Sequence, residues 1–128
     1  MAGEVILIVD DNPEIISLLE GHFEMRGYRV VTALDGREAL GKVYQEKPDL
    51  IVLDIMMPTL SGYEICRTLK SNPETKSIPV VFLTARDEPK DVERGFDVEA
   101  DGYVVKPFEP RELAEFVGDM LVRSRARG

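Results

Sequence analysis

The chain reads as an α/β protein built on a parallel sheet, and three observations predict it. Five short apolar runs alternate with stretches of helical periodicity, the pattern of strands joined by crossover helices. The run Leu50-Ile51-Val52-Leu53 is apolar throughout and carries two β-branched residues, as a strand buried on both faces requires. The runs also end in residues that carry chemistry: Asp10-Asp11, Asp54, Thr84 and Lys106.

In chain order, the first strand is Val5-Ile6-Leu7-Ile8-Val9. A helix follows, with Asn12 as N-cap, Pro13 at the first helical position and Glu14 near the positive end of the dipole. Ile15, Leu18, Leu19 and Phe23 recur at helical spacing and are expected to face inward, and Gly27 is the expected stop. The second strand, 28–32, contains Arg29, which suits a sheet edge. The second helix covers 36–45, with Ala39, Leu40 and Val43 inward and Pro48 closing it. The third strand, 50–54, is the most apolar. The third helix begins at Ser61, with Glu64 at capping-box spacing, and turns Ile65, Cys66 and Leu69 inward until Asn72-Pro73. Gly62 and Gly36 read as ordinary turn or cap glycines.

The fourth strand is Val80-Val81-Phe82-Leu83, ending at Thr84. The fourth predicted helix, 87–96, has low helix propensity and few apolar residues, so it is expected to be the least stable. The fifth strand is Gly102-Tyr103-Val104-Val105, ending at Lys106-Pro107. The fifth helix starts at Pro110 and buries Leu113, Val117 and Leu121. Residues 1–122 therefore make one domain, and the basic residues 123–128 read as a frayed tail or the start of a linker.

Bulk composition narrows the function. With 128 residues, 44% apolar and 31% charged, the chain can bury a core without metal or disulfide staples. The net charge of −8 argues against direct nucleic-acid binding by this chain. No apolar run is long enough for a membrane span. The N-terminus lacks the pattern of a secretory signal, and the single cysteine, Cys66, suits a reducing compartment. A cytoplasmic location is the expectation.

Strand ends of one sense lie along one edge of a parallel sheet. With the first strand beside the third, the acids at their ends meet at the switch point where open α/β sheets place their sites. Three carboxylates in contact repel, and each favours protonation of the others unless a cation joins them. An all-oxygen ligand set, with no His/Cys cluster in the sequence, describes Mg²⁺ better than zinc. Three carboxylates, one divalent cation and the Lys106 ammonium are together neutral, and such a pocket accepts a phosphoryl dianion. Thr84 then offers a hydroxyl and Lys106 a point charge to phosphoryl oxygens. The fitting chemistry is phosphoryl transfer to Asp54 as nucleophile, and the same site could admit water to hydrolyse the product.

The ordered set Asp10-Asp11, Asp54 in "LDIMMPTLSG", Thr84-Ala85 and "YVVKPF" resembles the receiver domain of two-component response regulators, the chemotaxis regulators included, over about residues 4 to 122. The resemblance, not the pattern, implies a flavodoxin-like three-layer (βα)5 fold with strand order 2-1-3-4-5. It implies that Asp54 is the phosphoacceptor, loaded from the phosphohistidine of a sensor histidine kinase or phosphotransfer protein. It also implies that Asp11 is a direct Mg²⁺ ligand, that Asp10 acts through water, and that Met56 gives its backbone carbonyl. A cis bond before Pro107 is implied too. Thr84 and Tyr103 would form a switch pair that remodels the surface of the fourth helix, fifth strand and fifth helix. Met56 and Arg86 fall where the dephosphorylation rate is tuned.

The resemblance makes the chain a signalling domain that assists its own phosphorylation and dephosphorylation, not an enzyme on outside substrates. It implies a downstream effector protein or fused output domain, and it allows a phosphorylation-dependent homodimer. Two alternatives stay open. One is a docking module that is not phosphorylated, for which a missing acid, Thr or Lys would be the mark. The other is an aspartyl-nucleophile phosphatase, which would carry a second acid where Met56 stands.

Overall fold

The structure, a computed structural model, describes residues 3–55, 57, 60–84 and 100–127, the side chains of 125–127 excepted. The elements are β1 (Val5–Val9), α1 (Pro13–Met25), β2 (Arg29–Ala33), α2 (Gly36–Glu46), β3 (Leu50–Asp54), α3 (Gly62–Lys70), β4 (Val80–Thr84), β5 (Gly102–Val105) and α4 (Pro110–Arg127). The five strands form one sheet in the order β2-β1-β3-β4-β5, every neighbour parallel. This is the expected architecture, with Arg29 on an edge strand. The fourth predicted helix, together with Met56, Ala85 and Arg86, lies outside the described residues.

The sheet separates two apolar layers. On one face, Leu7, Val9, Ile51, Leu53, Val80 and Phe82 pack with Ala39 and Val43 of α2 and Ile65, Cys66 and Leu69 of α3. On the other face, Ile6, Ile8, Leu50, Val52, Val81 and Leu83 pack with α1 and with Leu113, Val117 and Leu121 of α4. Alternate residues of β3 thus feed opposite layers, and all five of its residues are buried. The strand that carries Asp54 therefore has no solvent face along which to shift.

The helices start where the local signals place them. The Asn12 side chain accepts from Glu14 N at 2.9 Å, with Pro13 in the first turn. Ser61 Oγ accepts from Glu64 N, and Gly27 takes the left-handed conformation, φ 91°, after α1. At the start of α2, Asp35 accepts from Glu38 N while Glu38 reaches back to Leu34 N.

One expectation needs correction. Leu18 is 49% exposed, and the inner stripe of α1 is Ile16, Leu19 and Phe23. With apolar residues at 15, 16, 18 and 19, sequence spacing alone leaves the helix rotation undecided. Helix α4 runs on through Arg127, into the residues expected to be a tail or the start of a linker. No glycine or proline interrupts 123–127, and Arg and Ala are good helix formers.

Helix α2 ends on Lys47 in the left-handed region, φ 49°, with Lys47 N bonded to Val43 O at 3.0 Å. A side chain there costs on the order of 1 kcal/mol that glycine does not. Lys47→Gly is expected to raise stability by up to about 1 kcal/mol, measured as the shift in urea midpoint at unchanged slope.

Candidate functional site

Register brings the site together. Val9 pairs with Leu53, so Asp10, one residue beyond β1, stands next to Asp54 at the end of β3. Asp54 pairs with Leu83 and Thr84 with Val105, which puts Thr84 and Lys106 at the same edge. Three further backbone bonds fix the strand ends: Asp10 N to Ala33 O at 3.2 Å, Ile55 N to Leu83 O at 3.1 Å and Lys106 N to Thr84 O at 2.6 Å. None of these residues depends on a long loop for its placement.

The acids are not equivalent. Asp10 is fully buried, with Oδ1 accepting from Asn12 N at 2.9 Å and Oδ2 accepting from Lys106 Nζ at 3.2 Å. Asp54 is 4% exposed, and its Oδ1 lies 3.6 Å from Lys106 Nζ. Asp11 is exposed. One ammonium therefore bridges two buried carboxylates across the sheet edge. At 3.6 Å the second contact is an ion pair and not a hydrogen bond.

Asp10, Asp11 and Asp54 each offer a carboxylate oxygen, and these three oxygens lie within 4.8 Å of one another. Octahedral oxygen ligands about 2.1 Å from Mg²⁺ stand at most about 4.2 Å apart, so a small inward movement or a bridging water closes the set. The donors are all hard oxygens, and three carboxylates against one ammonium leave two negative charges for a divalent cation to balance. The residues fit Mg²⁺. Asp10 and Asp11 bring acids from one side, Lys106 an ammonium and buried Thr84 a hydroxyl from the other.

Tyr103 is half-buried, and its ring meets Phe82, its register partner, edge-on at 5.6 Å. Phe82 meets Tyr63 of α3 in the same way at 5.3 Å. The aromatic row runs across the sheet from α3 to β5, with Tyr103 at its half-buried end. The Lys106–Pro107 bond is cis, as the resemblance implies. The Met56 and Arg86 assignments fall outside the described residues.

Gly62 is a residue of the site that sequence reasoning undervalued. A Cβ there would stand 2.7 Å from Asp54 O and 2.8 Å from Ile55 Cα. Gly62 N in turn donates to Ile55 O at 3.0 Å. The start of α3 lies directly on the backbone of Asp54, and only glycine permits that approach. Gly36 is similarly crowded: a Cβ there would stand 2.7 Å from Leu60 Cβ and 2.9 Å from Leu60 Cδ2.

A model of the response regulator receiver domain family matches residues 6–118. The chain is 48% identical over 119 residues to the alkaline phosphatase synthesis transcriptional regulatory protein PhoP of Bacillus subtilis, covering 93% of this chain and 49% of that protein. The chain spans about half the length of the curated relatives it matches. Among solved structures, Vibrio cholerae chemotaxis protein CheY4 superposes with a TM-score of 0.88 at 34% identity, covering 92% of this chain and 98% of that one. The receiver domain of sensor histidine kinase PA1611 from Pseudomonas aeruginosa, with a magnesium ion coordinated in its active site cleft, superposes at 0.84 with 30% identity, covering 94% and 98%.

Gly62→Ala is expected to cost about 1–3 kcal/mol, the range for overpacking against atoms that cannot move freely, and to displace the backbone of Asp54. Urea unfolding reads the first effect. Chemical shifts of the Asp54 and Ile55 amides read the second.

Proposed function

The chain belongs to the response regulator receiver domain family of two-component signalling, and we propose that Asp54 is its phosphoacceptor in a Mg²⁺-dependent transfer. The observation that carries the reading is the Lys106 ammonium, held 3.6 Å from Asp54 Oδ1 and 3.2 Å from Asp10 Oδ2. A buried carboxylate with a cation and a metal-fitting acid pair beside it is equipped to bear a phosphoryl group.

The donor is the phosphohistidine of a sensor histidine kinase or phosphotransfer protein. An Asp54 oxygen attacks phosphorus in line, the P–N bond breaks, and the imidazole leaves. Lys106 transfers its contact from Asp10 to a phosphoryl oxygen, and the Thr84 hydroxyl donates to another. Bound Mg²⁺ supplies charge neutralisation at the transferring oxygens. Asp11, exposed and with no hydrogen bond or ion pair of its side chain among the described residues, is suited to direct ligation. Asp10, already engaged by Asn12 and Lys106, is suited to act through water. The Met56 backbone carbonyl completes the protein's ligands. Autodephosphorylation reverses the loading with water: water attacks phosphorus, the P–O bond to Asp54 breaks, and inorganic phosphate leaves.

The output follows from Thr84. As its hydroxyl moves toward the phosphoryl group, space opens for the Tyr103 ring to turn inward beside Phe82. This alters the face that β5 and α4 present. That face serves a downstream effector protein or a fused output domain, or a second copy of the chain after phosphorylation. Met56 and Arg86 tune the lifetime of the phosphorylated form.

Treatment with acetyl phosphate and Mg²⁺ is expected to add one phosphoryl group, seen by intact mass. Asp54→Asn or chelation of Mg²⁺ is expected to abolish it. A wild-type chain that takes no label would leave a docking module as the reading.

A further inference from the structure

We propose that Asp101 and Lys70 are positioning residues for Lys106, acting through the register of β5. The catalytic consequence rests on the receiver reading above, whereas the positioning itself rests on geometry alone.

β5 is the weakest strand of the sheet. It has four residues, lies at the edge and starts with Gly102. Its residues are half-buried or exposed, while those of β3 and β4 are all buried. A short, Gly-containing edge strand specifies its register poorly, and a slip of one residue sends every side chain to the opposite face. Such a slip would turn Tyr103 away from Phe82 and carry Lys106 away from the acids. Something outside the strand must fix it.

Asp101 stands immediately before β5. Its amide donates to Val80 O at 2.9 Å, and its Oδ2 accepts from Val80 N at 2.8 Å. The two bonds close a ring that ties the start of β5 to the start of β4 in a single register. The same Oδ2 accepts from Lys70 Nζ at 2.9 Å. The Lys70 side chain is only 8% exposed, and it also donates to Ile78 O at 2.8 Å and Lys76 O at 3.1 Å. Three acceptors match the three protons of the ammonium, so the orientation of Lys70 is fully determined. The last residue of α3, the turn before β4 and the first bond of β5 therefore meet at one buried cation.

Five residues on, the opposite end of the strand is fixed by Lys106 N donating to Thr84 O. At about 3.3 Å per residue the two ends are about 16 Å apart. Asp101 touches no reacting group. It sets where Lys106 emerges, and so whether Nζ reaches Asp10 and Asp54.

The test uses Asp101→Ala, Asp101→Asn, Lys106→Ala and the double variant Asp101→Ala/Lys106→Ala. Two readouts apply: hydrogen exchange at the Lys106 amide, and the labelling rate with acetyl phosphate and Mg²⁺. Asp101→Ala is expected to lower protection at Lys106 about tenfold or more, the scale of one lost buried hydrogen bond, while β1 and β3 amides keep theirs. Labelling slows in parallel. Asp101→Asn, which still accepts from Val80 N, recovers most of both. The double variant is labelled no more slowly than Lys106→Ala alone, because Asp101 acts only through Lys106.

Unchanged protection at Lys106 in Asp101→Ala overturns the proposal, and so does a double variant whose two losses multiply. If Asp101→Ala does not fold, Lys70→Gln carries the same readouts and is expected to shift them in the same direction by less; no shift overturns the proposal. If the wild-type chain takes no label, the receiver reading falls, and exchange at Lys106 alone decides the positioning.

Discussion

The structure depends on one electrostatic problem, three carboxylates held together at the edge of a sheet. Two of them, Asp10 and Asp54, are buried, where a charge without a partner is costly. Lys106 is the protein's own partial answer, since its ammonium lies within ion-pair distance of both. It leaves the trio two charges short of neutrality. The two remaining negative charges are what a divalent cation would balance, and the proposed phosphoryl transfer depends on that balance.

Holding like charges together takes a rigid frame, and the parallel sheet provides it. β3 is buried on both faces by two separate apolar layers, so Asp54 cannot retreat from its neighbours. β1 holds Asp10 in register beside it, and the crowding at Gly62 fixes the backbone behind it. The weaker edge, β5, carries the groups that move in the proposed cycle, Tyr103 and Lys106. Rigid acids on one side and a less buried strand on the other suit a switch in which the charge change occurs at β3 and the response at β5.

Much of this was legible in the sequence because a parallel sheet leaves little ambiguity. Strands such as Leu50–Asp54 have no polar side, and their ends share one edge, so Asp10, Asp54, Thr84 and Lys106 could be placed together from the sequence pattern. Capping signals at Asn12 and Ser61 are equally local. Other features have no local signature. The rotation of α1, which turns Leu18 outward, is decided by which face packs on the sheet when apolar residues occupy both. The need for glycine at 62 arises from a tertiary approach of α3 to β3. The Lys70–Asp101 pair joins residues 31 apart, and nothing in either segment announces the other. The bridging of Asp10 and Asp54 by one ammonium required side-chain geometry.

The most direct test of the central claim is the stability of Lys106→Ala against wild type, measured by urea unfolding with chelator and again with saturating Mg²⁺. If Lys106 is the counter-ion of the buried acids, the variant loses about 1–3 kcal/mol in chelator, since a buried charge pair has lost its cation. Mg²⁺ then returns most of that loss, because a cation that binds only the folded chain stabilises it by mass action. Equal stability of the two proteins in chelator, or a loss that Mg²⁺ leaves untouched, would contradict the account.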